Sequence, residues 1–259
     1  MSDDVFPFVR FAWKSKAIAD QWEKLLQKMT RLAYWAEYES VRVGLREANV
    51  YHLSAGNFDK EVERVFLDGM VWLPILRSQT YAGYSHRHRP TKVIDKNTHV
   101  FGVVARDLET AEKYRAANTG IIDHTTIGEM LGYPVCCVEF FNENWPNGIV
   151  DMVFETSQNT NGEHSPMLNT TLRYFGLKII PHFSGRISCG DSIKFAEEWY
   201  GLMIEKDKQT AEGLLEVLSM PVKWSLNNYI IDVDHELFHG ATNGYKSKYK
   251  EVKLNGYSS

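Results

Sequence analysis

Three cysteines and a few histidines carry the residue types and spacings that bear on chemistry. Cys136 and Cys137 are adjacent and follow Pro134, a residue favoured at the first helical position, so both thiols fall in the first turn of a predicted helix. Free backbone N–H groups and the positive end of the helix dipole favour a thiolate there. His182 and Cys189 lie in a predicted loop between a strand and a helix, where open α/β sheets bind ligands. Sulfur and imidazole from two separate segments suit two chemistries. As metal ligands, Cys136 or Cys137 with Cys189 and His182 would hold zinc or iron and leave a position for substrate or water. Without metal, a thiolate of the adjacent pair would attack an electrophilic carbon while His182 shuttles the proton, with Glu139 one turn along as acid/base partner. The competing reading is core packing, since cysteine often behaves as a small hydrophobe and Val-Cys-Cys-Val-Glu-Phe-Phe is an apolar setting.

Weaker signals lie elsewhere. His86 and His88 are two apart, which on a strand points both rings to one face as a His-x-His metal pair requires, although Arg87 and Arg89 make a solvated or anion-binding strip an equal reading. His235-Glu236-Leu237-Phe238-His239 matches the pattern of zinc peptidases, whose mechanism needs both histidines one helical turn apart. It follows an alternating, strand-like stretch and precedes Gly240, so coincidence is the better reading. The stretch Thr156 to His164 is rich in hydrogen-bonding side chains and leads into a predicted helix N-terminus. With Asn159, Asn161, His164, Asn169 and Arg173 it forms a candidate surface for a small polar substrate, against the simpler reading of a solvated connection. Phosphate-binding glycine loops, Gly-x-Ser-x-Gly and kinase signatures are absent, which removes support for ATP chemistry and serine hydrolysis.

These residues sit in a chain of 259, long enough for a substantial core, with 24% charged and 44% apolar residues. The formal net charge of −4 argues against a duplex nucleic-acid partner. No apolar run reaches the roughly 20 residues that span a bilayer, and the acidic start lacks the basic region of a secretory signal, so a cytoplasmic protein is expected. An odd number of cysteines argues against a disulfide framework.

The elements that must position the site are read from periodicity. Ile18, Trp22, Leu25, Met29, Leu32, Ala36 and Val43 mark one long helix from about residue 16 to 47, with Ser15 as N-cap. Its wide apolar face favours packing on the chain's own core over a docked partner or an oligomer through the Trp22 and Met29 face. A second helix is expected over 58 to 68. Val100 to Ala105 reads as a buried strand, Asp107 caps a helix through Ala117, and Thr126 with Glu129 has capping-box spacing for a short helix ending at Gly132. Beyond the cysteine helix, strands are expected at Val150 to Phe154 and Leu177 to Ile180, with a helix from Ser165-Pro166 to Gly176 between them. Asp191 or Ser192 caps a long helix, Lys208 to Leu218 forms another, and residues 222 to 233 form strands turning at Asn227-Asn228. The fold expected is α/β, or α+β, with a mixed, partly parallel sheet and flanking helices. A helical region over 1–95 would pack on an α/β domain over 96–259 that carries the Cys/His site.

The stretch Leu131-Gly132-Tyr133-Pro134-Val135-Cys136-Cys137-Val138-Glu139-Phe140-Phe141 resembles the Leu-Gly-Tyr-Pro-x-Cys-Cys motif of an uncharacterised prokaryotic family classed as a domain of unknown function. Similar features follow in Ser165-Pro166-Met167-Leu168-Asn169, Arg173, Gly176, Pro181-His182-Phe183, Cys189 before Ser192, and Pro221-Val222-Lys223-Trp224-Ser225, a likeness over roughly residues 98 to 250. The family carries a Pro-Cys-Ser segment after the histidine, where this chain reads Ser184-Gly185-Arg186, so one of its four cysteines is missing here. The resemblance implies that Cys136, Cys137, His182 and Cys189 act together and brings no activity with it. The expectation is an enzyme for a small polar substrate, metal-dependent or using a thiolate, with a non-catalytic binding or accessory protein as the alternative and the peptidase reading third.

Overall fold

The computed structural model describes residues 9–54, 57–80, 88–90, 98–146, 152–160, 164–227 and 230–243. The chain opens with strand β1 (Val9–Trp13), and Ser15 then caps helix α1 (Lys16–Arg42) by accepting a hydrogen bond from Ile18 N at 3.2 Å. The helix stops short of its expected end because Gly44 takes a positive φ of 82° and turns the chain away. Strand β2 (Ala48–Ser54), helix α2 (Phe58–Leu67), strands β3 (Val71–Thr80) and β4 (His88–Pro90) and strand β5 (Thr98–Ala105) follow. The first third therefore carries strands as well as the two expected helices.

Asp107 caps α3 (Leu108–Ala117), as its side chain predicts, and α4 (His124–Met130) is capped by Asp123 in place of Thr126. Helix α5 (Val135–Asn144) carries the cysteine pair. Where a strand was expected at 150 to 154, residues Met152–Gln158 form helix α6. An apolar run this short does not distinguish strand from helix by periodicity alone. The segment from Ser165 to Gly176 holds two single 3-10 turns, and Leu177 to Ile180 is buried but unpaired chain with no strand. Helix α7 (Gly190–Ser219) merges the two helices expected there across a break at Asp207, whose φ of −157° is non-helical and whose carboxylate accepts from Thr210 N at 3.1 Å. Strands β6 (Val222–Asn227), β7 (Ile230–His235) and β8 (Phe238–Asn243) close the chain.

The strands form two four-stranded sheets, ordered β1-β8-β7-β6 and β2-β5-β3-β4, and each ladder in them is antiparallel. The fold is mixed α/β in content, but both sheets are antiparallel, and among the described residues the partly parallel sheet expected from the sequence is not present. Each sheet draws strands from both sides of residue 95. The largest apolar cluster joins α1, α7 and the 168–180 segment to the first sheet, with Trp199 and Met29 fully buried. Met29 thus belongs to the chain's own core, and Trp22 packs against the same cluster.

Where α1 meets the segment after Gly176, the core admits charge. Lys178 Nζ lies 2.6 Å from Glu37 Oε1, and Arg46 Nη2 donates to the Glu37 carbonyl at 2.5 Å while its guanidinium lies over the Trp199 ring. Burial would raise the Glu37 pKa, but the charges of Lys178 and Arg46 outweigh it and hold the carboxyl below its ordinary range. A folded pKa below the unfolded one gives stability that is present above about pH 4.3 and lost as pH falls through the depressed folded value. Glu37→Gln leaves Lys178 buried without its counter-charge, and a loss of about 3 kcal/mol in urea denaturation at pH 7 is expected. The difference between wild type and variant should shrink as the pH is lowered below 4; a constant difference down to pH 2 would refute the ionised pair.

Candidate metal centre

Two helix N-termini converge to make the site. Tyr133-Pro134 leads into α5, and the preceding Gly132 takes a φ of 69° to turn the chain out of α4. At Gly128 a Cβ would meet Val138 Cγ2 at 2.6 Å, so α4 and α5 approach closely only because this residue lacks a side chain. Cys136 and Cys137 occupy the first turn of α5, and Cys189 occupies the N-cap position of α7. The loop delivering Cys189 is tied down by α6 and the chain just after it. The Thr156 hydroxyl donates to Ser184 O at 2.6 Å and Thr160 Oγ1 accepts from Ile187 N at 2.8 Å. The polar stretch after Thr156 thus supplies part of the scaffold of the cysteine loop.

The three sulfur atoms form a near-equilateral triangle. Cys136 Sγ lies 3.6 Å from Cys189 Sγ and 3.9 Å from Cys137 Sγ, and the third edge, Cys137 to Cys189, is 3.9 Å. A tetrahedral ion with metal–sulfur bonds of about 2.3 Å sets its sulfurs about 3.8 Å apart. The triangle therefore matches one face of a mononuclear thiolate site and can hold a metal ion. Cys136 is exposed, while Cys137 and Cys189 are buried. Among the described residues no histidine or carboxylate oxygen joins the set whose ligand atoms all lie within 4.8 Å of one another.

His182 sits one hydroxyl behind this triangle. Its Nε2 is 2.9 Å from Ser192 Oγ, which in turn is 3.1 Å from Cys137 Sγ. The ring lies between Tyr133 and Phe195, each with its centroid 5.0 Å away. Burial, followed by the charge of Arg173, pushes the His182 pKa down to about 3, so the imidazole is neutral at physiological pH. Burial also raises Cys136 and pushes Cys137 up to about 12, overriding the helix-terminal effect expected from the sequence. At Cys189 burial acts in the same direction, but the backbone N–H and hydroxyl of Ser192 outweigh it and bring the thiol below its ordinary value. In the absence of a cation, Cys189 is the thiol of the three that ionises most readily.

The remaining candidates are placed elsewhere. Glu139 is exposed on α5 and outside the sulfur set, whereas Asp191, one of the two residues read as a helix cap, has Oδ2 4.0 Å from Cys136 Sγ. Asn159 and His164 are exposed, and Asn161 lies outside the described residues. Asn169 binds the Leu218 carbonyl at 2.8 Å and accepts from Thr171, and Arg173 donates to Pro181 O at 3.2 Å with its guanidinium 3.9 Å over the Phe183 ring. Both brace the chain that carries His182. His86 lies outside the described residues, and His88 begins β4, paired with Thr80. His235 and His239 fall on β7 and β8 of a hairpin. His235 is fully buried with Nε2 3.2 Å from Val217 O, and His239 is exposed beside Asp234, so the helical geometry of a zinc peptidase is not formed. Ser192 and Tyr133 are the contributors that residue type alone did not single out.

Beside Cys137 opens a cavity of about 210 Å³, bounded by α4, α5 and Pro181 to Phe183. No protein-family model, curated protein or solved structure matches the chain, so geometry alone carries the functional reading.

Exposure separates the three thiols in the metal-free protein. A neutral maleimide should label Cys136 first, with Cys137 and Cys189 following only as fast as the loop opens, as read by peptide mass mapping. Initial labelling at Cys137 would contradict this placement.

Proposed function

We propose that the protein is a metal-dependent enzyme whose centre is a single ion, zinc before iron, held by the thiolates of Cys136, Cys137 and Cys189. The observation that carries the reading is the sulfur triangle with edges of 3.6, 3.9 and 3.9 Å. Sulfur-only donors favour zinc or an iron–sulfur cluster, and a cluster that gives each iron one thiolate spreads its sulfurs more widely than these. Three protein ligands with one position left over is the composition of catalytic zinc sites, whereas structural sites take four. Three-cysteine zinc sites activate water in nucleobase deaminases, so sulfur-only ligation is compatible with hydrolytic chemistry. When bound, the ion would supply Lewis-acid polarisation of whatever occupies that remaining position.

The chain's own residues have separable tasks. With Cys137 as thiolate, the Ser192 hydroxyl donates to sulfur and accepts from His182 Nε2–H, which fixes the imidazole tautomer and orients the ligand. Asp191, at the exposed edge beside Cys136, is the carboxylate placed to exchange a proton with a reacting group. The raised thiol pKa values of Cys136 and Cys137 argue against attack by a free thiolate of that pair.

Protein purified without chelator and under exclusion of air should contain about one equivalent of zinc or iron, lost in Cys137→Ser and Cys189→Ser. Ser192→Ala should keep the stoichiometry with affinity about 10–100-fold weaker. In the cobalt-substituted protein, added imidazole should shift the visible bands, because one position is exchangeable. A spectrum indifferent to imidazole would favour a closed structural site and the accessory-protein reading; failure to bind zinc, cobalt or iron would end the proposal.

A further inference from the structure

We infer that the cavity beside Cys137 is a subsite for one uncharged aromatic ring, of benzene to indole size, presented to the metal centre proposed above. The inference rests on that centre for its purpose and on the cavity for its selectivity. The space of about 210 Å³ exceeds only modestly the dry cavity of about 150 Å³ that binds benzene in an engineered protein core. It is too small for most drug-sized ligands, whose pockets begin at about 300 Å³. One ring, with at most a fused five-membered partner, is the group that fills it.

The lining sets the chemistry of that group. Ile127, Leu131 and Val138 supply aliphatic surface, and Tyr133, Phe141 and Phe183 supply flat faces and edges. Phe141 meets the His124 ring edge-on at 5.2 Å, an arrangement that leaves room for further edge-to-face contacts. The wall holds no aspartate, glutamate, lysine or arginine side chain, and burial lowers the His124 pKa. With no carboxylate, ammonium or guanidinium in the lining, a formal charge on the inserted group would be desolvated without a salt-bridge partner.

Aromatic walls also form cages for quaternary ammonium groups, and the charges behind this wall decide against that occupant. Arg173 lies 3.9 Å over the Phe183 ring and already depresses His182 through its positive charge. Arg46 acts on Tyr133 of the wall, where Glu37 offsets part of its charge, and Lys178 is paired with Glu37. A cationic ligand would meet the charge of Arg173 through the Phe183 ring and would find no carboxylate in the wall. A neutral ring has no such cost, and its apolar surface gains the full benefit of burial.

The test is calorimetric titration of the full chain with indole and with N-methylpyridinium, a ring of similar size carrying a positive charge. Indole should bind one to one with a negative heat-capacity change, and N-methylpyridinium at least about tenfold more weakly. Ile127→Trp should fill the cavity and weaken indole by at least about tenfold, with metal content and thermal melting confirming that the variant is folded. In the cobalt-substituted protein, indole should perturb the visible bands. Absence of indole binding to wild type, equal or tighter binding of N-methylpyridinium, or indole affinity unchanged in a folded Ile127→Trp protein would each overturn the ring subsite. Indole binding in a protein that takes up no metal would overturn the metal centre alone and leave the ring subsite standing.

Discussion

Everything at this site depends on placing three sulfur atoms within 3.9 Å of one another where two helices begin. Like charges at that distance repel, and two of the three thiols are pushed toward their neutral form by burial. Two helix N-termini and the Ser192 hydroxyl offset only part of that cost, enough to favour ionisation at Cys189 and not at its neighbours. A cation of charge two would resolve the conflict, because it would release the thiol protons and convert mutual repulsion into shared attraction. The physical case for a metal is therefore the match of the three sulfurs to one face of a tetrahedral site.

The scaffold is arranged around that demand. Helix α7 is both the support of Cys189 and, through Trp199 and Met203, part of the largest apolar cluster, so the sulfur at its N-terminus inherits the rigidity of the core. Helix α5 is held at its own start by α4, through the close approach at Gly128 and the turn at Gly132. The intervening loop is fixed by hydroxyls from Thr156 and Thr160 and by the Arg173 hydrogen bond to Pro181 O. Of the polar residues singled out in the sequence, Asn169 and Arg173 are half-buried and donate to backbone carbonyls that need partners.

Much of the local structure was legible because its signals are local. Ser15, Asp107 and the Pro134 turn announce helix starts through side chains that meet free backbone groups within a few residues. The hairpin of β6 and β7 was likewise readable from its alternation. Strand direction was not, because alternation specifies which face of a strand is buried and says nothing of which distant strand lies beside it. The pairing of Val9 with Thr242 joins the two ends of the described chain, and no property of either segment records it. The meeting of Cys136 and Cys189 is of the same kind. Their residue type marked them as candidates, and only the tertiary fold brings them to 3.6 Å.

His182 shows how a residue can take a position different from the one its type advertises. An imidazole near three sulfurs invites assignment as a fourth ligand, yet its ring is pinned between Tyr133 and Phe195 and its Nε2 is committed to Ser192 Oγ. A hydroxyl interposed at 2.9 and 3.1 Å keeps nitrogen and Cys137 sulfur apart and couples them through one shared group. With the imidazole neutral, Ser192 can donate to sulfur only while it accepts from the histidine, so the hydrogen-bond direction at Cys137 fixes the proton position on His182. The same ring forms part of the wall of the apolar cavity. Cys137 sulfur, the Ser192 hydroxyl and the imidazole thus form one continuous chain of polar contacts that ends at the surface an occupant of that cavity would touch.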